Sequence, residues 1–401
     1  MTHRRDLFKL AGAGALAAAG TSALAQAVTQ GTPGSSTAAP KNPHERPALT
    51  EAVDRKLDVA NIDYLEAEAR KVWGEGVYVF VAHGAGEQWT LRENRRAFGD
   101  HAFAPRRLTG TVASGIDTSI DLLGVKSPHP IIVTPMGSHG LSHPLGEVAT
   151  VRGAAATGGI FTLSGASTRS LEDVAAAADN AKWFQVYLHP DLGISRAQLQ
   201  RARAAGYKAV VFTVDAIGQG QSDAYIHMGK PRPPLPYGNY ANTQVAFKTD
   251  LSWKDIDFIR EASGLPVIVK GITRAEDALA ALDHGASAIQ VSNHGGRALD
   301  GTPAALTVLP QVAAAVKGRA PIIMDSGIRR GTDIAKALAL GANAVAIGRP
   351  VHYGLVLGGA SGVQSVIEFM RRELVNTMLH LGVRRIADLK PELLVAAAPR
   401  G

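Results

Sequence analysis

The chain has 401 residues, 46% of them hydrophobic, no cysteine, and a formal net charge of +7 at pH 7. Such a length supports one large domain or two ordinary ones, and the missing thiols exclude disulfides, thiolate metal sites, Cys nucleophiles and thioether-linked haem within it. The positive charge is dispersed, without a long Lys/Arg block or zinc-ligand spacing, so no nucleic-acid partner and no metal is expected, whereas anionic small molecules suit it.

Residues 1–27, MTHRRDLFKLAGAGALAAAGTSALAQA, join the Arg4–Arg5 pair to a weakly apolar Ala/Gly/Leu stretch and small-residue cleavage candidates ending at Ala25 and Ala27. They read as a twin-arginine-like signal peptide, with Leu7 and Phe8 swapped against the usual order, and imply export of a folded protein to the periplasm. Residues 28–49, rich in Thr, Ser, Pro, Gly and Ala without a hydrophobic period, read as a disordered linker. The folded domain is expected over 50–390, followed by a tail over 391–401. Its first part holds helices around Ile62–Val72 and Thr90–Phe98.

After Lys126 a repeat sets in. Strand-like apolar runs occur at Pro130–Thr134, Ile160–Ser164, Trp183–Leu188, Ala209–Val214, Pro266–Lys270, Ala288–Ser292, Pro321–Asp325 and Ala344–Gly348. Most are continuous rather than alternating, as in strands buried on both faces. Helical patterns lie between and after them: Pro144–Thr157, Leu171–Ala178, Ser195–Ala205, Ser252–Ala262, Arg274–His284, Pro303–Val316, Thr332–Leu340 and Val363–Leu381. Eight strand–helix units over roughly 250 residues point to a (β/α)8 TIM barrel with an N-terminal helical extension; an open doubly wound sheet is the alternative. The longest interruption, Ala216–Asp250 with GKPRPPLPYGNY, is a candidate active-site lid.

In a barrel the chemistry sits at the C-terminal ends of the strands. There the chain places Thr134-Pro135-Met136-Gly137, Ser164, Gln185 with Tyr187, Thr213 with Asp215, Lys270, Ser292 with His294, Asp325 with Gly327, and Gly348-Arg349. The last two ends, DSGIRRGTD and IGRP, read as a phosphate site, since Gly327 frees backbone N–H groups before a helix, Arg329 or Arg330 adds charge, and Gly348 and Arg349 follow on the neighbouring loop. Lys270 ends the apolar run PVIVK, where a cation calls for an anion or a polarisable ring. His294 is a candidate base, Asp215 the best-placed carboxylate to orient it, and Arg297 a clamp for a substrate carboxylate.

The motifs SNHGGR, EQWTLRENRRAF, FQVYLH, LPVIVKGI, DSGIRRGTDIAKALALGA and IGRP together resemble the FMN-dependent 2-hydroxy-acid oxidase and dehydrogenase family, over about Ile62–Lys390. The resemblance implies oxidation of an L-2-hydroxy acid, lactate-like or larger, with His294 accepting the substrate proton, Asp215 supporting it, Arg297 on the carboxylate and Tyr187 on the substrate oxygen. It implies bound FMN: Lys270 near flavin N1, Pro135, Met136, Gly137, Ser164, Gln185, Thr213 and Ser292 along the flavin and ribityl chain, and Asp325, Gly327, Arg329, Gly348 and Arg349 at the ribityl and phosphate. Oxygen or a quinone or cytochrome would take the electrons, and a homo-oligomer, a tetramer, is expected. An FMN isomerase, another phosphate-binding barrel enzyme, or a non-catalytic flavin-binding protein are the alternatives.

The departures from the family's pattern lie in the substrate pocket. Phe80 stands where a carboxylate-binding Tyr is usual, Ser222 where a second carboxylate-binding Arg is usual, and Ala166 where an aromatic is frequent. A buried charge partner removed without replacement costs about 2–5 kcal/mol of binding. Lys230, Arg232, His83 and His139 are candidates to replace it, and a larger or less anionic substrate is expected.

Overall fold

Eight short runs of β-branched and small apolar residues pair side by side, each parallel to the next, and close on themselves: β1 Ile131–Val133, β2 Ile160–Ser164, β3 Lys182–Val186, β4 Ala209–Thr213, β5 Val267–Ile272, β6 Ala288–Val291, β7 Ile322–Met324 and β8 Ala344–Ile347. β8 returns to β1 through the register Val345–Ile131, Ala346–Ile132 and Ile347–Val133. Closure, rather than the open sheet, is the arrangement formed. The computed structural model describes residues 52–218, 220–230, 235–240 and 244–397; the expected signal peptide and linker lie outside the described residues.

Alternation along each strand sorts its side chains into two layers. Ile132, Ile160, Trp183, Val211, Ile268, Ala288, Ile323 and Ala346 face inward and pack with one another. Leu122, from an antiparallel hairpin of residues 120–127, joins them and stoppers the barrel. Their neighbours Val133, Leu163, Phe184, Phe212, Val269 and Ile289 face the helices in the larger core. Two or four residues further on, the inward face turns polar: Thr134, Ser164, Gln185, Thr213, Lys270, Gln290, Ser292 and Asp325, each at most 9% exposed. An apolar barrel floor therefore carries a polar ring at its C-terminal end.

Some of the surrounding helices start at a short polar side chain that satisfies a free N–H group. Asn61 caps α1 (Ile62–Val72), Ser170 caps α5 (Leu171–Ala176) and Asp191 caps α6 (Leu192–Ala204). The others are α2 Glu75–Ala82, α3 Trp89–Arg96, α4 Glu147–Ala155, α7 Asp223–His227, α8 Lys254–Ser263, α9 Ala275–Asp283, α10 Ala305–Val316, α11 Gly331–Ala339 and α12 Arg349–Leu381.

Three elements differ from expectation. α2, EGVYVFVA, has strand-like composition, and the burial of Val79, Val81 and Ala82 overrides that preference. α12 begins directly after β8 instead of near Val363, and breaks at Gly359, where φ is 57°. The glycines at 354, 358, 359 and 362 interrupt the hydrophobic period there while allowing the two halves to approach. A Cβ on Gly362 would stand 2.1 Å from the Gly354 carbonyl oxygen. Finally, residues 394–396, expected in a tail, form a strand paired antiparallel with His101–Phe103.

Gly362→Ala is expected to destabilise the fold by about 1–3 kcal/mol, the usual cost of overpacking. A urea titration of the two proteins checks this, and an unchanged midpoint would contradict the close approach.

Candidate active site

His294 and Asp215 come from the loops after β6 and β4, with β5 between them. They meet because β5 ends in a bulge at Gly271, where φ is 108°. A Cβ at that residue would lie 2.6 Å from the Asp215 carboxyl carbon. With it absent, His294 Nδ1 lies 2.8 Å from Asp215 Oδ1. His294 itself has φ 59° and is followed by Gly295 and Gly296 at φ 65° and 73°. The two glycines admit neighbours that a side chain would exclude: Ala85 N–H donates to the Gly296 carbonyl at 2.7 Å, and a Cβ on Gly296 would strike Leu91 N at 2.8 Å.

The polar ring supports this loop. Ser292 Oγ donates to Asp325 Oδ1 at 2.7 Å and accepts from the His294 N–H at 3.0 Å. Asp325 also accepts from Gln290 Nε2 at 2.6 Å and from Ser326 Oγ at 2.7 Å. Lys270 Nζ stands 3.9 Å from Asp325 Oδ2 and is 3% exposed. Burial, the largest influence on Asp215, pushes its pKa up; Lys270, then His294, outweigh that and hold it below the ordinary carboxylate value. Asp215 is therefore an anion at neutral pH.

Two arginines meet the end of α2. Arg297 Nη1 donates to the carbonyls of Phe80 at 2.6 Å and His83 at 3.1 Å, with its guanidinium 5.2 Å from the centre of the Phe80 ring. Arg349 donates from Nε to Val81 O at 3.3 Å, from Nη1 to Gly295 O at 3.0 Å and from Nη2 to His83 O at 2.9 Å. Both thus occupy carbonyls that a helix C-terminus leaves free. Three of the five N–H donors of the Arg349 guanidinium are committed to backbone and two are left for an anion, in the larger cavity that Arg329 and Gly327 also line. Burial pushes Arg297 down in pKa, and burial followed by the Arg297 charge pushes Arg349 down to about 9.

Around these groups lie two adjoining cavities of ≈ 380 Å³ and ≈ 300 Å³, within the range of small-molecule sites. Phe80, Ala166, Tyr187, Gln221, Tyr225, His294 and Arg297 line both. Of the other expected residues, Pro135, Met136, Gly137, Ser164, Lys270, Asp325, Gly327, Arg329, Gly348 and Arg349 line the larger cavity. Gln185, Thr213 and Ser292 do not line it; Gln185 holds Ser164 and Gly165 through Oε1 at 2.9 and 3.2 Å. Burial pushes the Tyr187 phenol well up in pKa, so it stays a hydrogen-bond donor.

Several lining residues carried no signal in the sequence. Tyr225 lies on α7, whose single turn is too short to show a period; its ring is 5.7 Å from that of Phe80. Phe247, from within the expected lid, packs its ring at a tilt against that of Tyr187, 4.9 Å between centres. His352 lines the larger cavity, accepts or donates at Nδ1 to Ser142 Oγ at 2.7 Å, and is kept well below its ordinary pKa by burial. Ser222 is the N-cap of α7, its Oγ accepting from Tyr225 N–H at 3.1 Å. Of the candidate substitutes for a second cation, His139 is buried against Thr150, Lys230 is exposed, and His83 lines the smaller cavity. Arg232 lies outside the described residues.

The family model for FMN-dependent dehydrogenases matches residues 69–396. The chain belongs to the FMN-dependent dehydrogenase family. It is 42% identical to an L-lactate oxidase of Lentilactobacillus hilgardii, over 84% of this chain and 94% of that protein. It is 39% identical to glycolate oxidase of Spinacia oleracea, over 85% and 96%. Among solved structures it superposes on Pediococcus acidilactici lactate oxidase with a TM-score of 0.84 at 40% identity, covering 87% and 98% of the two chains. A mandelate oxidase variant bound to (S)-mandelic acid follows at 0.80 and 34%, covering 86% and 100%.

The site suits the cofactor of this family. Arg329 Nε and Gln185 Nε2 are buried without a partner. The hydrogen bonds that Arg297, Arg329 and Arg349 donate run to backbone carbonyls, so their charges await an anion. Arg329, Gly327 and the start of α12 would hold the phosphate of FMN, and Lys270 and the β1 loop its ring system.

Arg329→Met is expected to weaken FMN binding by about 2 kcal/mol or more, roughly thirtyfold in Kd. The gain in unfolding midpoint on adding FMN reads this directly, and an undiminished gain would remove Arg329 from the phosphate site.

Proposed function

We propose that this chain oxidises an L-2-hydroxy acid to its 2-keto acid with His294 as the base. The observation that carries the reading is the 2.8 Å bond from His294 Nδ1 to Asp215, on a residue that lines both cavities. With Nδ1 engaged, Nε2 is the nitrogen left to take a proton, and the Asp215 anion stabilises the imidazolium that results. Arg297 spends one arm on α2 and turns the rest of its charge to the substrate carboxylate. Tyr187, kept protonated, donates to the substrate oxygen. FMN, when bound, supplies the acceptor for the two electrons.

The electrons leave to oxygen or to a quinone or cytochrome, the protein assembles as a homo-oligomer, a tetramer, and residues 1–27 direct it to the periplasm. Re-oxidation by air against a quinone analogue separates the acceptors. Replacing Arg4 and Arg5 by Lys is expected to retain the protein in the cytoplasm, as read by cell fractionation.

Purified protein should be yellow, and anaerobic 2-hydroxy acid should bleach it. His294→Ala is expected to keep FMN and lose bleaching, and Asp215→Asn to slow it by on the order of 10²–10⁴-fold. A colourless protein, or full-rate bleaching in His294→Ala, would overturn the reading.

A further inference from the structure

Tyr225 lines both cavities, as His294 and Arg297 do, and is 6% exposed. The Phe80 ring is in contact with two of these groups: the Arg297 guanidinium lies 5.2 Å from its centre and the Tyr225 ring 5.7 Å. Burial is the largest influence on the Arg297 charge and disfavours it, and the phenols of Tyr187 and then Tyr225 act against that. No described residue bonds to the Tyr225 hydroxyl, and that oxygen is not among the polar atoms sealed without a partner inside the protein. It therefore opens onto the cavity space.

The backbone beneath this phenol is pinned. Ser222 Oγ accepts the Tyr225 N–H at 3.1 Å, and the Tyr225 carbonyl accepts the Lys230 N–H at 3.0 Å. The start of α7 is tied to the loop after α2, since the Gly86 N–H donates to the Gln221 carbonyl at 2.9 Å and the Asp223 N–H to the Gly86 carbonyl at 3.2 Å. α2 also ends in the carbonyls that hold Arg297 Nη1. Arg297 and Tyr225 are thus set relative to each other through the same stretch of chain.

A buried O–H donor beside a guanidinium suits an anion. Arg297 keeps Nε and Nη2 once Nη1 is spent on backbone, and a carboxylate has two oxygens with about four lone-pair sites to fill. Leaving one of those oxygens unfilled away from water is costly. Phe80 carries no donor, and Tyr187 is taken by the substrate oxygen in the reading above. Tyr225 is the phenol left for the second carboxylate oxygen.

We infer that the Tyr225 hydroxyl is a donor to the substrate carboxylate beside Arg297, and that Ser222 is its positioning residue, acting through the cap of α7. This rests on the proposed 2-hydroxy-acid oxidation and adds a residue that recognises the acid. The bond is made alike in the bound substrate and in the transition state, so its loss falls on KM more than on kcat.

The test uses the FMN-loaded protein with Tyr225→Phe, which keeps the ring against Phe80, with Ser222→Ala, and with both. Perturbation of the flavin absorbance by pyruvate and by its carboxamide gives Kd independently of turnover. Tyr225→Phe is expected to weaken pyruvate about ten- to hundredfold, the range for a hydrogen bond to a charged group, and the carboxamide by about fivefold or less. Ser222→Ala is expected to weaken pyruvate in the native background and to add nothing in Tyr225→Phe. In anaerobic bleaching by (S)-lactate and (S)-2-hydroxy-3-phenylpropionate, Tyr225→Phe should raise KM more than it lowers kcat. An unchanged Kd for pyruvate, an equal loss for acid and amide, or a fall confined to kcat would overturn the role of Tyr225. An equal effect of Ser222→Ala in both backgrounds would overturn that of Ser222. Absence of bleaching by both hydroxy acids would fail the oxidation reading instead, while the Kd series still decides the carboxylate contact.

Discussion

The hydrogen bond between His294 and Asp215 constrains everything built around it. Two side chains from alternate strands can meet only if the intervening strand end gives way, and Gly271 does so by taking a conformation and a volume open to glycine alone. His294 carries its own share of the distortion, since a left-handed backbone is unfavourable for a residue with a side chain. That conformation is held from both sides. Ser292 takes the His294 N–H, and Asn293 locks to Asn94 of α3 through reciprocal amide bonds of 2.8 Å. The N-terminal extension thereby belongs to the mechanism, since α3 supplies the partner that fixes the loop bearing the base.

α2 extends the same logic to charge. Arg297 and Arg349 both reach its last carbonyls, so one helix end fixes a guanidinium in each cavity. Two buried like charges disfavour each other, and the C-terminal end of a helix, carrying partial negative charge, offsets part of that. The remainder is left for ligands: a phosphate in the larger cavity and a carboxylate in the smaller. A displacement of α2 would disturb both at once, which couples cofactor seating to substrate recognition through a single element.

The barrel was legible in the sequence because strands buried on both faces leave uninterrupted apolar runs, and polar residues at their ends stand out against them. His294, Asp215, Lys270 and Arg297 were found on that contrast. What stayed hidden depended on tertiary contact. The helicity of α2 comes from burial against a strand-like composition, and the first half of α12 is obscured by the glycines that let its halves cross. The loop that carries Arg349 is legible in the sequence, but the carbonyls at the end of α2 that take three of its donors are not. Tyr225 and Phe247 sit in a segment without period, where only packing against Phe80 and Tyr187 reveals their place.

The departures at 80 and 222 are coordinated rather than independent losses. An Arg at 222 would add a third guanidinium to a chamber where burial already depresses the pKa of Arg297, and burial with the Arg297 charge that of Arg349. It would also remove the hydroxyl that caps α7 and so loosen the turn carrying Tyr225. With Ser222 in place, α7 is anchored, Tyr225 packs on Phe80, and the Phe80 ring in turn lies against Arg297. Against the family pattern the chamber gives up two expected carboxylate contacts, at 80 and 222, and gains the packed rings of Phe80 and Tyr225 as an apolar wall beside Arg297.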